Sequence, residues 1–122
     1  MPKGFMPSRV REMAIDERAW IGAMIEAEGS VAIQPKHSAH RVKLNVVNTD
    51  LEIISAMFRS TGAGSVQLKS INPIGGAGFI GSRPCWVWWC SRWNEIKDLV
   101  RQCGAYSMKL QKVAAFYKLE VQ

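Results

Sequence analysis

The sequence has few cysteines and no long hydrophobic run. Its 122 residues contain three cysteines, an odd number that lacks the CxxC spacing of zinc and redox sites. This count predicts neither a disulfide framework nor a zinc site, and we expect an intracellular, reducing compartment. No apolar stretch approaches the roughly 20 residues that cross a bilayer, so no membrane span is expected. The first residues also lack a continuous apolar stretch, which argues against a secretory signal.

Negative charge is scarce in the middle of the chain. Sixteen Lys and Arg residues against ten Asp and Glu residues give a net charge of +6. Between Gly29 and Asn94 the only acids are Asp50 and Glu52. A basic excess alone is weak evidence for a nucleic acid or another acidic partner, because many small basic proteins bind neither. The uneven distribution is more informative, since it leaves one long section almost free of acids.

The spacing of apolar residues predicts one small α+β domain. A hydrophobic share of 48% over this length is typical of a globular fold and excludes a disordered chain. The predicted order is α-β-β-α-β-β-α-α, which indicates a four-stranded sheet with helices on one face. We expect a basic tail over residues 1–15 and the domain over 16–122. The predicted helices cover 16–28, 49–60, 94–103 and 107–121, and the predicted strands cover 30–36, 40–48, 64–71 and 84–91.

Capping residues set the expected ends of these helices. Asp16 is the expected N-cap of the first helix. Thr49 is the expected N-cap of the second, and Glu52, three positions later, would complete a capping box with it. This role favours a structural Glu52 over a catalytic one. Gly104 is expected to stop the third helix, and Ser107 to cap the last.

The second predicted strand alternates between apolar and polar side chains. Such a period of two places one set on the core and the other on the opposite face of the sheet. A solvated face usually mixes charges of both signs, whereas this polar set contains cations and amides only. Phosphates and base edges suit such a face better than bulk solvent does. The apolar set is Val42, Leu44 and Val46, and the polar set is Arg41, Lys43 and Asn45.

The first predicted helix has small residues on one side and large apolar residues on the other. A stripe of small residues allows another helix to approach closely, although ordinary packing on the sheet explains the spacing equally well. Because both sides are fit to be buried, a second copy of the same helix is a candidate partner. The small residues are Ala19, Gly22, Ala23 and Ala27, and the large ones are Trp20, Ile21, Met24 and Ile25.

Two carboxylates stand at the C-terminal end of this helix. The helix dipole already places about half a negative charge there, so Glu26 and Glu28 are unfavourable unless a cation joins them. One interpretation is a pair of exposed acids. The other is a hard divalent cation held by Glu28 and a terminal carbonyl, for which Mg²⁺ is the best match.

Residues 21–29, IGAMIEAEG, resemble the LAGLIDADG motif of homing endonucleases in its acidic variant, which ends in E-x-E-G. The similarity continues through VVNTD at 46–50, GAGSV at 62–66 and YSMK at 106–109, and covers roughly residues 16–121. Two departures are visible. Gly22-Ala23 stands where the family usually has Ala-Gly, and Glu26 and Glu28 replace aspartates.

The resemblance implies a fold and an activity. The fold would be αββαββα with a saddle-shaped antiparallel sheet, and a single motif per chain implies the homodimeric type. The activity would be Mg²⁺-dependent, sequence-specific hydrolysis of double-stranded DNA at a (pseudo)palindromic site, with Ca²⁺ or Mn²⁺ as substitute ions. Intron RNA is a further implied partner. The compartment would be a bacterial or archaeal cytoplasm or an organelle matrix.

The resemblance also assigns roles to individual residues. Glu28 and the Ala27 carbonyl would bind the metal, Lys109 would lie near the cut phosphate, and Asn48 would order water. Without the resemblance, Lys109 is equally an exposed lysine and Asn48 a strand-ending amide. The expected dimer interface contains Ala19, Ile21, Gly22, Ala23 and Glu26.

Base-reading candidates are polar residues that alternate away from the core, because long amides and cations read base edges. The tryptophan-rich run at 85–90 is ambiguous. Trp86 and Trp88 are expected in the core, whereas Trp89, with Val87, is a candidate to face DNA. The candidates are Gln34, Lys36, Arg41, Lys43, Asn45, Gln67, Lys69 and Trp89.

Other patterns favour simpler interpretations. Gly76-x-Gly78-x-x-Gly81 imitates a dinucleotide-binding motif, but a strand follows it where a helix is required. His37-x-x-His40 lacks a third ligand, so exposure or a phosphate contact is favoured over a metal site. A non-catalytic protein of the same fold, either an intron maturase or a DNA-binding regulator, remains an alternative. So does a half-domain that works beside another chain, although Lys109 and both acids favour an enzyme.

Overall fold

The computed structural model describes residues 7–33, 42–70 and 84–122. The predicted order of helices and strands is confirmed, with one short 3₁₀ helix added before the last helix. The elements are α1 (Ile15–Glu28), β1 (Gly29–Ile33), β2 (Val42–Asn48), α2 (Leu51–Thr61), β3 (Ser65–Ser70), β4 (Cys85–Cys90), α3 (Trp93–Cys103), the 3₁₀ helix (Gly104–Tyr106) and α4 (Met108–Tyr117).

The four strands form one antiparallel sheet in the order β1-β2-β4-β3. Val46 lies opposite Trp88, and Trp88 lies opposite Val66, so the core side of the sheet is apolar across its width. Ile21 of α1 and Ile54 of α2 are buried in the same cluster. The α+β fold class expected from the sequence is therefore confirmed. Within the described part of the chain, no helix is long and apolar enough to cross a membrane.

Two helices have N-caps one or two residues away from the expected positions. Ala14, not Asp16, is the N-cap of α1, and its N–H donates to the Glu17 carboxylate at 3.0 Å. Asp50, not Thr49, is the N-cap of α2 and accepts from the Glu52 N–H at 2.9 Å. The Asp50 carboxylate therefore satisfies one of the free N–H groups at the start of α2 directly.

The side chain of Glu52 takes no part in the cap of α2. Its carboxylate lies 4.0 Å from Arg59 Nη2 and is strongly exposed, so the expected capping box is wrong. Gly104 is the C-cap of the third helix, as expected, but it keeps helical dihedral angles, and the chain continues as a 3₁₀ turn. Ser107 caps α4 as expected by accepting from the Leu110 N–H at 3.2 Å.

The chain makes a close backbone approach before β3. Trp88 Nε1 donates to the Ala63 carbonyl at 2.9 Å, inside the core. Gly64 follows with φ of +88°, and a Cβ there would lie 2.4 Å from Trp88 Nε1. Glycine is therefore required at this position by both the backbone conformation and the space.

The N-terminal segment 7–14 packs against the domain and is not a separate tail. Met13 is 3% exposed, and its N–H donates to Gln102 Oε1 at 2.9 Å. Gln102 Nε2 returns a hydrogen bond to the Arg11 carbonyl, also at 2.9 Å. The Arg11 N–H donates to the Thr61 carbonyl at the end of α2, at 2.8 Å. The expected domain boundary at residue 16 is therefore too late for the part of this segment that the structure describes.

Candidate functional site

The end of α1 meets the start of α4. The Glu26 carboxylate accepts hydrogen bonds from the Lys109 N–H at 3.0 Å and from Ser107 Oγ at 3.3 Å. An anion is stabilised at a helix N-terminus by the free N–H groups and the helix dipole. The hydrogen bond from the Lys109 backbone, followed by that from Ser107, holds the pKa of Glu26 below its usual value. We expected Glu26 at a dimer interface, but its carboxylate is engaged inside the chain.

The Lys109 side chain returns to the end of α1. Its Nζ donates to the Gly29 carbonyl at 2.8 Å. Gly29 follows α1 directly, so the cation lies at the negative end of that helix, where the dipole favours it. The two contacts are reciprocal, because Glu26 of α1 caps α4 while Lys109 of α4 places a cation beside α1.

Glu28 is exposed in the last turn of α1, next to the residue that Lys109 contacts. Among the described residues no cation forms a salt bridge with its carboxylate. An exposed carboxylate at the negative end of a helix suits a hard divalent cation. The described residues contain no group of three or more His, Cys, Asp or Glu side chains able to hold a metal by themselves. Ala27 is also exposed, beside Glu28.

Asn48 lies at the same end of the sheet as Glu28. Gly29 is opposite Val46, so the last residues of β2 extend beyond the start of β1 toward the end of α1. Asn48 Oδ1 accepts from the Asp50 N–H at 2.8 Å, which uses its carbonyl oxygen in the turn before α2. Its half-buried amide is therefore held in place by the main chain.

One face of α1 is exposed and contains mainly small or apolar residues. Asp16, Trp20, Ala23 and Ala27 are exposed, and their spacing of four, three and four places them along one side of the helix. Trp20 has 37% of its surface exposed, a large fraction for an apolar side chain in a packed domain. Ala19, beside this face, is half-buried. We call these four exposed residues the α1 face.

Two residues expected at a dimer interface lie in the chain's own core instead. Ile21 is fully buried among the other core side chains. Gly22 faces the 3₁₀ helix, where an added Cβ would lie 2.6 Å from the Cβ of Tyr106. Their assignment to an interface was wrong, because they occupy the side of α1 that packs inward.

The outer face of the sheet, opposite the helices, contains cations and amides. Strand register places Lys43 and Asn45 beside Trp89, and Lys43 Nζ lies 5.2 Å from the Trp89 ring centre, a cation–π distance. No acid occurs on this face among the described strand residues. The face consists of Ser30, Ala32, Lys43, Asn45, Val47, Ser65, Gln67, Cys85, Val87 and Trp89.

The tryptophan-rich strand divides between the two faces. Trp88 is fully buried and Trp86 packs against the core, whereas Trp89 is half-buried on the outer face. Val87 is 8% exposed and so presents little surface. The candidates Gln34, Lys36 and Arg41 lie outside the described residues, as do the histidines at 37 and 40 and the glycine-rich loop.

No local sequence pattern indicates the buried ion pair that lies near the far end of the outer face. Glu95 is 1% exposed and accepts from Arg9 Nε at 2.7 Å, Arg9 Nη2 at 3.2 Å and the Arg9 N–H at 3.2 Å. Burial favours the neutral acid, but the Arg9 hydrogen bonds and charge outweigh it and lower the pKa of Glu95. Burial, reinforced by Glu95, raises the pKa of the adjacent Cys90 thiol to about 12. A separation of 86 residues conceals this pair from any local pattern.

Comparison with known proteins adds evidence at the level of structure alone. No protein-family profile and no curated protein sequence matches the chain. A crystal structure of the homing endonuclease I-CvuI with its target in the presence of Ca aligns with a TM-score of 0.58 and 14% identity, over 85% of this chain and 67% of that one. The chain has the homing endonuclease fold.

Two further structures are similar. I-CvuI bound to the I-CreI target in the presence of Mg, with the DNA not cleaved, aligns with a TM-score of 0.55 and 15% identity over 84% of this chain and 66% of that one. The archaeal intron-encoded homing endonuclease I-Vdi141I in complex with DNA aligns with a TM-score of 0.48 and 22% identity, over 83% of this chain and 57% of that one. The fold assignment does not depend on this structure. This chain therefore spans about two thirds of the length of I-CvuI.

Proposed function

We propose that the protein is a sequence-specific endonuclease of double-stranded DNA that acts as a homodimer with a divalent metal ion. The observation that carries this proposal is the arrangement at the end of α1. There an exposed Glu28 lies beside Gly29, whose carbonyl accepts from Lys109 Nζ at 2.8 Å. A carboxylate and a cation at one end of a polar, acid-free sheet face suit phosphodiester chemistry.

A second copy would complete the site. Ala23 and Ala27 of the α1 face would allow close contact between two helices, and a two-fold axis beside them would bring the two Glu28 carboxylates together. Each chain supplies an incomplete ligand set, so the pair supplies what one chain lacks. I-CvuI, whose fold this chain shares, is a homing endonuclease seen in complex with its DNA target, which supports a role on DNA.

Individual residues then have distinct tasks. Glu28, with the Ala27 carbonyl, would hold Mg²⁺, for which Ca²⁺ or Mn²⁺ would substitute. A divalent ion at this place would neutralise phosphate charge and lower the pKa of a nucleophilic water. Lys109 would place its cation against the scissile phosphate, held ready by Gly29. Asn48 would orient water through its amide, since its carbonyl oxygen is held by Asp50.

The outer face of the sheet would lie in the DNA major groove. Lys43, Asn45 and Gln67 project from it, and cations and amides of this length read base edges. Lys69 is exposed on the same strand, at a register irregularity between Leu68 and Ser70. The half-buried Trp89 would form the floor beneath Lys43 rather than reach a base, because its ring already lies under that ammonium.

A selection for cleaved sites tests the proposal directly. The protein would be incubated with Mg²⁺ and a library of randomised DNA duplexes, and the cut ends would be sequenced. We expect a long target whose two halves are related by a pseudo-two-fold axis. Selective binding without cut ends would favour the non-catalytic alternative, a DNA-binding regulator or an RNA-binding maturase. Absence of both binding and cleavage would reject the proposal.

A further inference from the structure

A small cleft borders the outer face of the sheet at the end of β4. Its volume is about 160 Å³, and Trp89 and Ser65, paired neighbours on the outer face, form one wall. Arg9 and Arg92 form the other side. The cleft is distinct from the end of α1, because Trp89 lies opposite Asn45, three residues before Asn48 along β2.

The charge of this cleft is positive. Arg9 and Arg92 contribute two guanidinium groups, and the one acid in the wall, Glu95, is 1% exposed behind Arg9. The Cys90 thiol in the same wall is neutral, since burial raises its pKa to about 12. Two cations against one buried carboxylate leave the lining of the cleft with a net positive charge.

The Arg9 guanidinium is held rigidly. Arg9 Nε and Nη2 donate to the Glu95 carboxylate at 2.7 Å and 3.2 Å, which fixes the plane of the guanidinium group. Arg9 Nη1 makes no hydrogen bond to Glu95. The side chain is nevertheless 47% exposed. A fixed and exposed guanidinium loses little conformational entropy when it binds an anion, and its donors match phosphate oxygens.

Polar groups beside the two arginines add to this chemistry. The hydroxyls of Ser65 and Ser91 belong to exposed residues of the wall. Trp89 Nε1 is a buried donor without an acceptor among the described residues, a rare condition in native proteins. Each of these groups has an O–H or N–H that is able to donate to an anion.

We propose that this cleft binds a backbone phosphate of the nucleic acid that lies on the outer face, with Arg9 and Arg92 as the phosphate ligands. The proposal rests on the proposed function, because the outer face must carry nucleic acid. It adds a contact that fixes position along the duplex and reads no base.

The salt dependence of binding tests this contact. Affinity for a labelled random-sequence duplex would be measured over a range of salt concentrations for the wild type, Arg92→Gln and Lys97→Gln. Each phosphate contact contributes about 0.9 to the slope of log K against log salt concentration. We expect Arg92→Gln to reduce the slope by about that amount, while Arg92→Lys keeps it.

Lys97→Gln is the matched control. Lys97 is an exposed cation on α3, the helix for which Arg92 is the N-cap, but it lines a different cleft with Asp98 and Arg101. The Lys97→Gln substitution removes one positive charge, as Arg92→Gln does, and should leave the salt-dependence slope unchanged. An unchanged slope in Arg92→Gln, or an equal reduction in both variants, would overturn the proposal. Arg9 is not substituted here, because its loss leaves Glu95 buried without a partner.

A second measurement separates this proposal from the proposed function. Inorganic phosphate would be titrated into the wild type while the indole ¹H–¹⁵N resonance of Trp89 is followed by NMR. We expect a saturable shift that Arg92→Gln removes. If phosphate shifts the resonance but the duplex slope does not change, the cleft takes free anions and the nucleic-acid contact is rejected. If no duplex binds at all, the proposed function fails, and the phosphate titration alone decides whether the cleft binds an anion.

Discussion

The Glu26 carboxylate lies 3.0 Å from the backbone nitrogen of Lys109 and caps the helix from which Lys109 projects. Lys109 Nζ in turn donates to the carbonyl of Gly29, three residues after Glu26. The position of the lysine ammonium therefore depends on an acid that does not touch it. Glu26 is a positioning residue for Lys109.

Replacing Glu26 should weaken activity through this geometry. Glu26→Gln keeps a carbonyl acceptor for the Lys109 N–H but loses the charge at the helix N-terminus, whereas Glu26→Ala loses both. We expect kcat to fall in the order wild type, Gln, Ala, with DNA affinity nearly constant. Thermal unfolding should follow the same order. If both variants bind DNA less tightly and cleave at wild-type kcat, Glu26 acts on binding and not on Lys109.

Glu28→Gln should abolish cleavage. The substitution removes a carboxylate charge from the proposed metal site and no contact with a base, so affinity for DNA in Ca²⁺ should remain within a few-fold. A plasmid-nicking assay and a binding titration measure the two effects. Glu120→Gln, another exposed acid, is the control and should cleave normally. Cleavage by Glu28→Gln at the wild-type rate rejects its assignment as a metal ligand.

Ala23→Leu should dissociate the proposed dimer. Ala23 is exposed on the α1 face, so the larger side chain does not disturb the core but prevents close contact between two helices. Ala115→Leu adds the same bulk at an exposed position on α4. We expect the dimer dissociation constant to rise at least tenfold, about 1.4 kcal/mol, for Ala23→Leu alone. Light scattering measures the mass, and a wild type that is monomeric at micromolar concentration contradicts the dimer.

Arg9→Ala should destabilise the fold strongly. It leaves the Glu95 carboxylate buried without its guanidinium, which costs on the order of 3 kcal/mol. The double variant Arg9→Met/Glu95→Gln removes both charges and should recover much of the lost free energy of unfolding. Urea denaturation measures the stability of both variants. An Arg9→Ala protein as stable as the wild type would show that water replaces the arginine.

Acid should destabilise the protein through three carboxylates. The pKa values of Glu17, Glu26 and Glu95 are held below their ordinary value of 4.5 in the folded chain. The unfolded chain therefore binds protons more readily, and this stability is present above about pH 4.5 and is lost as the pH falls through the folded values. Denaturation midpoints from about pH 6 to about pH 3 measure the loss. The stability of Glu26→Gln should fall less steeply with decreasing pH than that of the wild type. An equally steep fall would show that Glu26 does not contribute to the acid sensitivity.

Local patterns predicted the parts of the site that depend on one element. The alternation of β2 placed Lys43 and Asn45 on the outer face, and the spacing of Ala23 and Ala27 placed them together on the exposed side of α1. The sequence of the same helix did not show that Ile21 and Gly22 face the chain's own core rather than a dimer interface, because both sides of α1 are apolar enough to be buried. Only the position of the 3₁₀ helix decides that Gly22 faces inward.

Contacts between distant parts of the chain were beyond sequence reasoning. Glu26 and Lys109 are 83 residues apart, and a glutamate in a last helical turn does not indicate its partner. The ordered segment 7–14 is a similar case. Its basic composition indicates a solvated tail, yet Met13 and its hydrogen bonds to Gln102 hold it in the domain.

The order of the strands has a consequence for folding kinetics. β1 and β2 are neighbours in sequence, as are β3 and β4, whereas the central pair joins residues 44–48 to 86–90. Closing so long a loop costs entropy before its contacts repay it. We therefore expect the β1–β2 and β3–β4 pairs to form early. The pairing of β2 with β4, where Val46 lies opposite Trp88, should then limit the rate at which the whole molecule folds.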